Sequence, residues 1–284
     1  MARRIAGLAL CILAAGGCGQ DPPPRSAGGY VPDTVPFQVP SDSTIPAGLL
    51  GESIRRGRAL LEHTADSLPE YVGNTLSCTS CHPAAGTLAG GMPWVGVYGQ
   101  FPQYRSRAAR VQLLEDRLDD CFIRSMNGKP LPRDGKDVRD MVAYFAFLSR
   151  EIPVGARVEG QGIPKVDVSS ADSTAGKALY AIECARCHGE DGSGYVGPAV
   201  WGDSSFNIGA GMARLRTAAG FIRANMPMDR RGSLTDQQAA DLAAYLVSRP
   251  RPDLPGKEYD WPNGDPPPDA AYPTLAAQRK AQAQ

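Results

Sequence analysis

Apolar residues recur at helical intervals in three stretches of the first half of the chain. Gly51 to His63 gathers Ile54, Leu60 and Leu61 on one side. Val111 to Met126 repeats Val111, Leu114, Leu118 and Phe122 at steps of three and four, and Asp137 to Ser149 does so with Val138, Met141, Val142, Phe145 and Leu148. Such periods predict amphipathic helices with one face on a core. Between them, residues 86–104 form a loop rich in Gly, Pro and Trp.

The second half repeats this plan. Gly176-Lys-Ala-Leu-Tyr echoes Gly57-Arg-Ala-Leu-Leu, Phe221-Ile-Arg223 echoes Phe122-Ile-Arg124, and Asp241-Leu-Ala-Ala-Tyr245 echoes Asp140-Met-Val-Ala-Tyr144. Thr235 and Gln238 form a capping box that opens the last of these helices. The prolines mark the joints. Residues 18–47 read as an extended linker, 152–170 as a boundary containing Pro153 and Pro164, and 251–284 as a Pro-rich, then polar tail whose order the pattern leaves open.

Two pentapeptides occupy matching places in the repeats: Cys78-Thr-Ser-Cys-His82 and Cys184-Ala-Arg-Cys-His188. Cys-x-x-Cys-His is the attachment motif of a c-type haem. Two thiols on one helical turn reach both vinyl groups of a porphyrin, and the adjacent histidine lies under the iron. A lone Cys-x-x-Cys also suits zinc or a thioredoxin-like pair. Two copies, each using one of only 3 histidines, point instead to two covalently bound haem c groups. Cys78, Cys81, Cys184 and Cys187 would form the thioethers, with His82 and His188 as iron ligands. The expected fold is mainly α: two tandem cytochrome c-like helical haem domains with long Pro/Gly-rich loops, at residues 48–151 and 171–250.

The amino terminus fits export. Arg3-Arg4 is a positive start, Ile5 to Ala15 an apolar run, and Ala15-Gly16-Gly17 a small-residue end, which together read as a signal peptide at 1–17. Cys18 follows as in a bacterial lipobox, although Ala15 replaces the usual leucine. Its lipidation would anchor a periplasmic protein to the membrane, and simple cleavage would release it. With 30 basic against 30 acidic residues there is no overall basic footprint for nucleic acid. The 25 prolines and 32 glycines predict long loops around real cores, since 42% of residues are hydrophobic. Of 7 cysteines, Cys11 and Cys18 lie in the leader and four hold haem, so only Cys121 is left over.

Each iron has a second axial position, open to His63, Cys121 or a methionine. For the second haem, Met226 lies 38 residues after His188 in Asn225-Met226-Pro227, an arrangement that resembles the ligand loop of class I cytochromes c. Met228 and Met212 are its rivals. For the first haem the same distance falls near Cys121, 39 residues after His82, whereas the Phe-Ile-Arg repeat favours Met126. Five residues along a helix rotate by about 140°, so the two registers exclude one another. Arg117, Cys121 and Ser125 share a helical stripe at four-residue steps.

The segment Leu114-Glu-Asp-Arg-Leu-Asp-Asp-Cys-Phe-Ile-Arg-Ser-Met-Asn-Gly-Lys-Pro-Leu131 resembles the dihaem thiosulfate dehydrogenases, whose first domain is similar to the haem subunit of the Sox sulfur-oxidising system. Tyr104-Arg-Ser-Arg107 and Ser205-Phe-Asn-Ile-Gly-Ala-Gly-Met212 extend the likeness over roughly residues 48–250. The resemblance implies that Cys121 ligates the first haem. It also implies that arginines at Arg107 and Arg117 serve a reaction joining two thiosulfates into tetrathionate. Asn225 stands where some relatives carry a lysine.

A thiolate is the nucleophilic form of cysteine, and arginine's planar fork suits oxyanions. Arg107 and Arg117 could instead hold haem propionates or pair with Asp116 or Asp120. Thiolate ligation lowers an iron potential and methionine raises it, so electrons would run from the first haem to the second and on to an accepting cytochrome or similar redox protein. Two other readings stand beside a thiosulfate dehydrogenase. One is a non-enzymatic dihaem electron carrier. The other is an enzyme of the same fold acting as a tetrathionate reductase or as a sulfur-carrier cytochrome.

Overall fold

A computed structural model describes residues 34–283, so the expected leader, with Cys11 and Cys18, lies outside the described residues. The first half is built on two crossing helices, α1 (Gly48–Glu62) and α5 (Lys136–Ser149). Between them come the short turns α2 (Thr64–Ser67) and α3 (Pro83–Gly86), then α4 (Leu114–Asp120). The second half pairs α6 (Ser173–Glu183) with α9 (Asp236–Val247), and encloses α7 (Ala185–His188) and α8 (Leu215–Asn225). A last helix, α10 (Leu275–Gln282), follows in the carboxyl-terminal segment.

The repeat seen in the sequence is a packing device. A Cβ at Gly57 would stand 1.9 Å from the Asp140 carbonyl oxygen, and one at Gly176 would stand 2.0 Å from the Asp241 carbonyl oxygen. Each half therefore brings its first and last helices into backbone contact at an echoed Gly/Asp pair. Only a residue without a side chain permits that approach. Asp140 receives Lys136 Nζ and Arg56 Nη1, each at 2.6 Å, while Asp241 accepts the Asp172 amide and Gln237 Nε2. Ile54, Leu61, Phe122, Met141 and Leu148 fill the first core, and Tyr180, Ile222, Leu242 and Tyr245 the second.

Strands are few and short. β1 (Thr34–Val35) pairs in parallel with β4 (Arg157–Val158), so part of the expected linker is tied to the residues after α5. β2 (Gln103–Arg105) and β3 (Arg110–Gln112) form an antiparallel hairpin.

The structure corrects the sequence reading in one place and extends it in another. The second expected helix does not begin at Val111, which is exposed in β3; the helix starts at Leu114. The carboxyl-terminal tail is ordered against the body. Trp261, Tyr272 and Asp260 are buried, and Arg124 donates from both Nη atoms to Asp260, each at 2.8 Å. This segment has no periodic pattern because single anchoring side chains, not an apolar face, hold it in place.

Candidate functional site

The first pentapeptide opens with a 3-10 turn at Cys78–Ser80, and the second begins at Cys184, just before α7. In both, the histidine is oriented by a loop carbonyl. His82 Nδ1 lies 2.5 Å from Met92 O, and His188 Nδ1 lies 2.7 Å from Pro198 O. A carbonyl oxygen only accepts, so Nδ1 carries the proton and Nε2 keeps its lone pair for a metal. Burial pushes the His82 imidazole down to about 4, which keeps it in the neutral, ligating form.

The second motif opens on a cavity of about 660 Å³, lined mainly by apolar side chains. Met212, Met226 and Met228 all border it. Met226 packs against the second core, whereas Met228 is 47% exposed. Leu76, Thr79, Ser80 and Cys81 border the same cavity, so the first attachment motif shares a wall with the second site. These residues suit a porphyrin held by thioethers and an axial histidine. His63 caps α1, is exposed, and borders neither this cavity nor the arginine pocket described below.

Cys121 begins a single π-helical turn, Cys121–Ser125, that continues α4. The Met126 amide reaches back five residues to Cys121 O at 2.9 Å. Met126 points into the first core, 3% exposed, while Cys121 is only half-buried. Cys121 lies close enough to Cys78 and Cys81 for their sulfurs to interact electrostatically. Met126 thus fills the first core, and Cys121 lies on the side of the first attachment motif.

Arg117 stands one turn before Cys121 and donates from Nη1 to its Sγ at 3.0 Å. The sulfur's charge is the chief reason its guanidinium lies above its ordinary value. The alternative partners are engaged elsewhere. Asp116 takes Arg133 and the Leu113 amide, and Asp120 takes Gln112 Nε2 at 3.2 Å.

Arg117 also lines a pocket of about 420 Å³ with Arg105, Arg107, Arg124, Arg214 and Ser125. The sequence reading missed Arg105. It lies in β2, on the same side as Gln103, with Tyr104 turned outward, a period-two pattern too short to register. Burial lowers the guanidinium pKa of Arg105 and Arg107 from the ordinary value, as expected for cations held without a close carboxylate. Asp120 is the one acidic residue in the lining. A small dianion is the ligand that such a wall would attract.

Residues 71–154 match the family model described as SoxA/TsdA, cytochrome c domain, and residues 171–246 match cytochrome C oxidase, cbb3-type, subunit III. A thiosulfate dehydrogenase of Allochromatium vinosum is 47% identical over 233 residues, covering 78% of this chain and 86% of the relative. The chain belongs to the thiosulfate dehydrogenase family.

A second member, from Psychrobacter arcticus, is 45% identical over 241 residues, covering 82% of this chain and 74% of the relative. A solved thiosulfate dehydrogenase (TsdBA) from Marichromatium purpuratum, in its as-isolated form, superposes with a TM-score of 0.74 at 36% identity. The match takes in 78% of this chain and spans half (50%) of the solved chain's length. Thiosulfate dehydrogenases are oxidoreductases, and the two cytochrome c domains of this member carry two covalently bound haem c groups. Among the described residues no helix is long and apolar enough to cross a membrane.

Proposed function

We propose that this chain oxidises thiosulfate, joining two thiosulfate dianions through their outer sulfurs into one tetrathionate dianion and releasing two electrons. One observation carries the reading: Arg117, in the wall of an arginine pocket, donates to the sulfur of the leftover cysteine at 3.0 Å. When bound, the two haems supply one-electron acceptance each, matching the electrons released per turnover.

The remaining work falls to this chain's own side chains. Arg117 holds its guanidinium against the Cys121 sulfur at 3.0 Å. Arg107, Arg117 and Ser125 receive the sulfonate oxygens and hold two mutually repelling dianions together. His82 and Cys121 would hold the iron of the first haem, and the Cys121 sulfur would take direct part in the sulfur chemistry. His188 and Met226 would hold that of the second. The shared wall at Cys81 supports short passage of electrons between the two sites.

We further propose export to the periplasm, attachment to the membrane through a lipid on Cys18, and delivery of electrons to a cytochrome or similar redox protein. A plain electron carrier has no use for an arginine-lined pocket beside a free thiol, so the reading as an enzyme is preferred.

The test is thiosulfate-dependent reduction of the holoprotein, followed in the haem α-band and coupled to assay of tetrathionate. Cys121→Gly should keep both covalent haems yet lose nearly all oxidation. Cys121→Met restores a soft ligand without a nucleophile. Full activity in that variant would remove the direct role from Cys121 and leave it as an electronic tuner.

A further inference from the structure

The carboxyl-terminal segment, residues 251–283, runs back across the first half and ends one wall of the arginine pocket at Trp261. Three observations set Trp261 apart from ordinary core. Its backbone amide donates to Arg107 O at 2.9 Å. The Arg107 guanidinium carbon lies 4.7 Å above its ring centroid, well inside cation–π range. Its φ is +51°, in the left-handed region that a bulky side chain rarely occupies. Strain of that kind persists only where the surroundings impose it, and it gathers at functional sites.

The same segment supplies two carboxylates that pair closely with pocket arginines. Asp260 binds Arg124 through two contacts at 2.8 Å, and Asp269 binds Arg214 at 2.6 and 3.1 Å. Arg107 approaches Asp260 only to 4.0 Å, and its one close polar partner is Gly209 O at 2.7 Å. Arg107 thus has only a loose carboxylate partner, its guanidinium held between a carbonyl on one edge and an indole on one face.

We infer that Trp261 is a positioning residue for substrate. It fixes Arg107 as a pre-aimed anion clamp, while Asp260 and Asp269 on the same segment restrict the pocket's free positive charge to the arginines that meet thiosulfate. The inference rests on the reading of this pocket as the thiosulfate site and adds a component outside both matched cytochrome domains. Its physical basis is pre-organisation: a guanidinium already ordered loses less freedom when the anion arrives.

The experiment compares Trp261→Ala, Trp261→Leu, Trp261→Phe and Arg107→Ala in the dihaem holoprotein, by steady-state thiosulfate oxidation with haem content checked. Trp261→Leu keeps apolar bulk without a ring face, and it decides the matter if Trp261→Ala does not fold. Loss of the ring should raise the half-saturating thiosulfate concentration by roughly 3- to 30-fold, with saturated turnover much less affected. Trp261→Phe should stay within about threefold of the parent. Adding Trp261→Leu to Arg107→Ala should have no further effect, because the ring acts through that arginine. If Arg107→Ala raises half-saturation and neither ring-deleting variant does, the inference falls and the pocket reading stands. If none of the variants moves it, both fall together.

Discussion

Asn207 Nδ2 donates to Ile123 O at 2.8 Å, which lets a loop of the second half grip the π turn that carries Cys121. The same side chain reaches Asn127 Oδ1 and accepts the Gly209 amide, and the Asn207 backbone amide donates to Arg124 O. It is 1% exposed, so no water replaces these bonds. Asn207→Ala should lose about 2–3 kcal/mol of stability in denaturant unfolding, the penalty for buried groups left unpaired. Activity measured far below the melting temperature should also drop, since the turn loses its brace. Retention of full activity with lowered stability would make Asn207 a fold residue only.

Arg117→Ala should lower thiosulfate turnover on the order of 30- to 1000-fold, equivalent to about 2–4 kcal/mol of transition-state stabilisation. Because Arg117 Nη1 touches Cys121 Sγ, the spectrum of the first haem should shift as well, with covalent haem content unchanged. Lysine at this position restores charge but not the fork, and should recover activity only in part. An unshifted spectrum would separate the arginine from the sulfur.

Met226→Gly should change the potential and spectrum of the second haem alone. The partly buried thioether sits in the second core beside a cavity that also offers Met228 and Met212. A redox titration resolves the haems. If Met228→Gly produces the change and Met226→Gly does not, the ligand is two residues further on.

Asp140 links α1 to α5, and acid should weaken that link. Burial works against its charge, but Lys136, Ser53 and Arg56 outweigh it and hold the carboxyl below its ordinary 3.8. A depressed folded value means that the unfolded chain binds the proton more tightly, so this stabilisation is present above about pH 4 and fades as pH falls further. Urea unfolding of Asp140→Asn against the parent should show a stability gap at pH 7 that narrows at pH 3. A constant gap would assign the effect to packing instead.

The haem motifs, the repeat and the long helices were legible because each depends on residue type at a fixed spacing. Gly57 and Gly176 looked like mere echoes in sequence, yet their likeness follows from one steric demand met twice. The π turn was not legible, since Cys121 to Ser125 would be written with the same residues in an ordinary helix. Val111 misled because a residue three before Leu114 fits the helical period whether or not the backbone follows it. The tail escaped because Asp260, Trp261 and Asp269 act singly, at positions whose partners lie more than a hundred residues away in the first half or across the second.

The paired glycine contacts also bear on the order of events in the making of the protein. Each attachment motif lies inside the loop that closes when its two flanking helices meet, and in the first half Cys78 is already packed into the closed core. Closing a longer loop costs more chain entropy than forming the local helices, so docking follows helix formation more slowly. Cys78 is therefore most open to thioether chemistry while α5 is undocked, and a Gly57 substitution that delays docking would lengthen that window while weakening the finished fold.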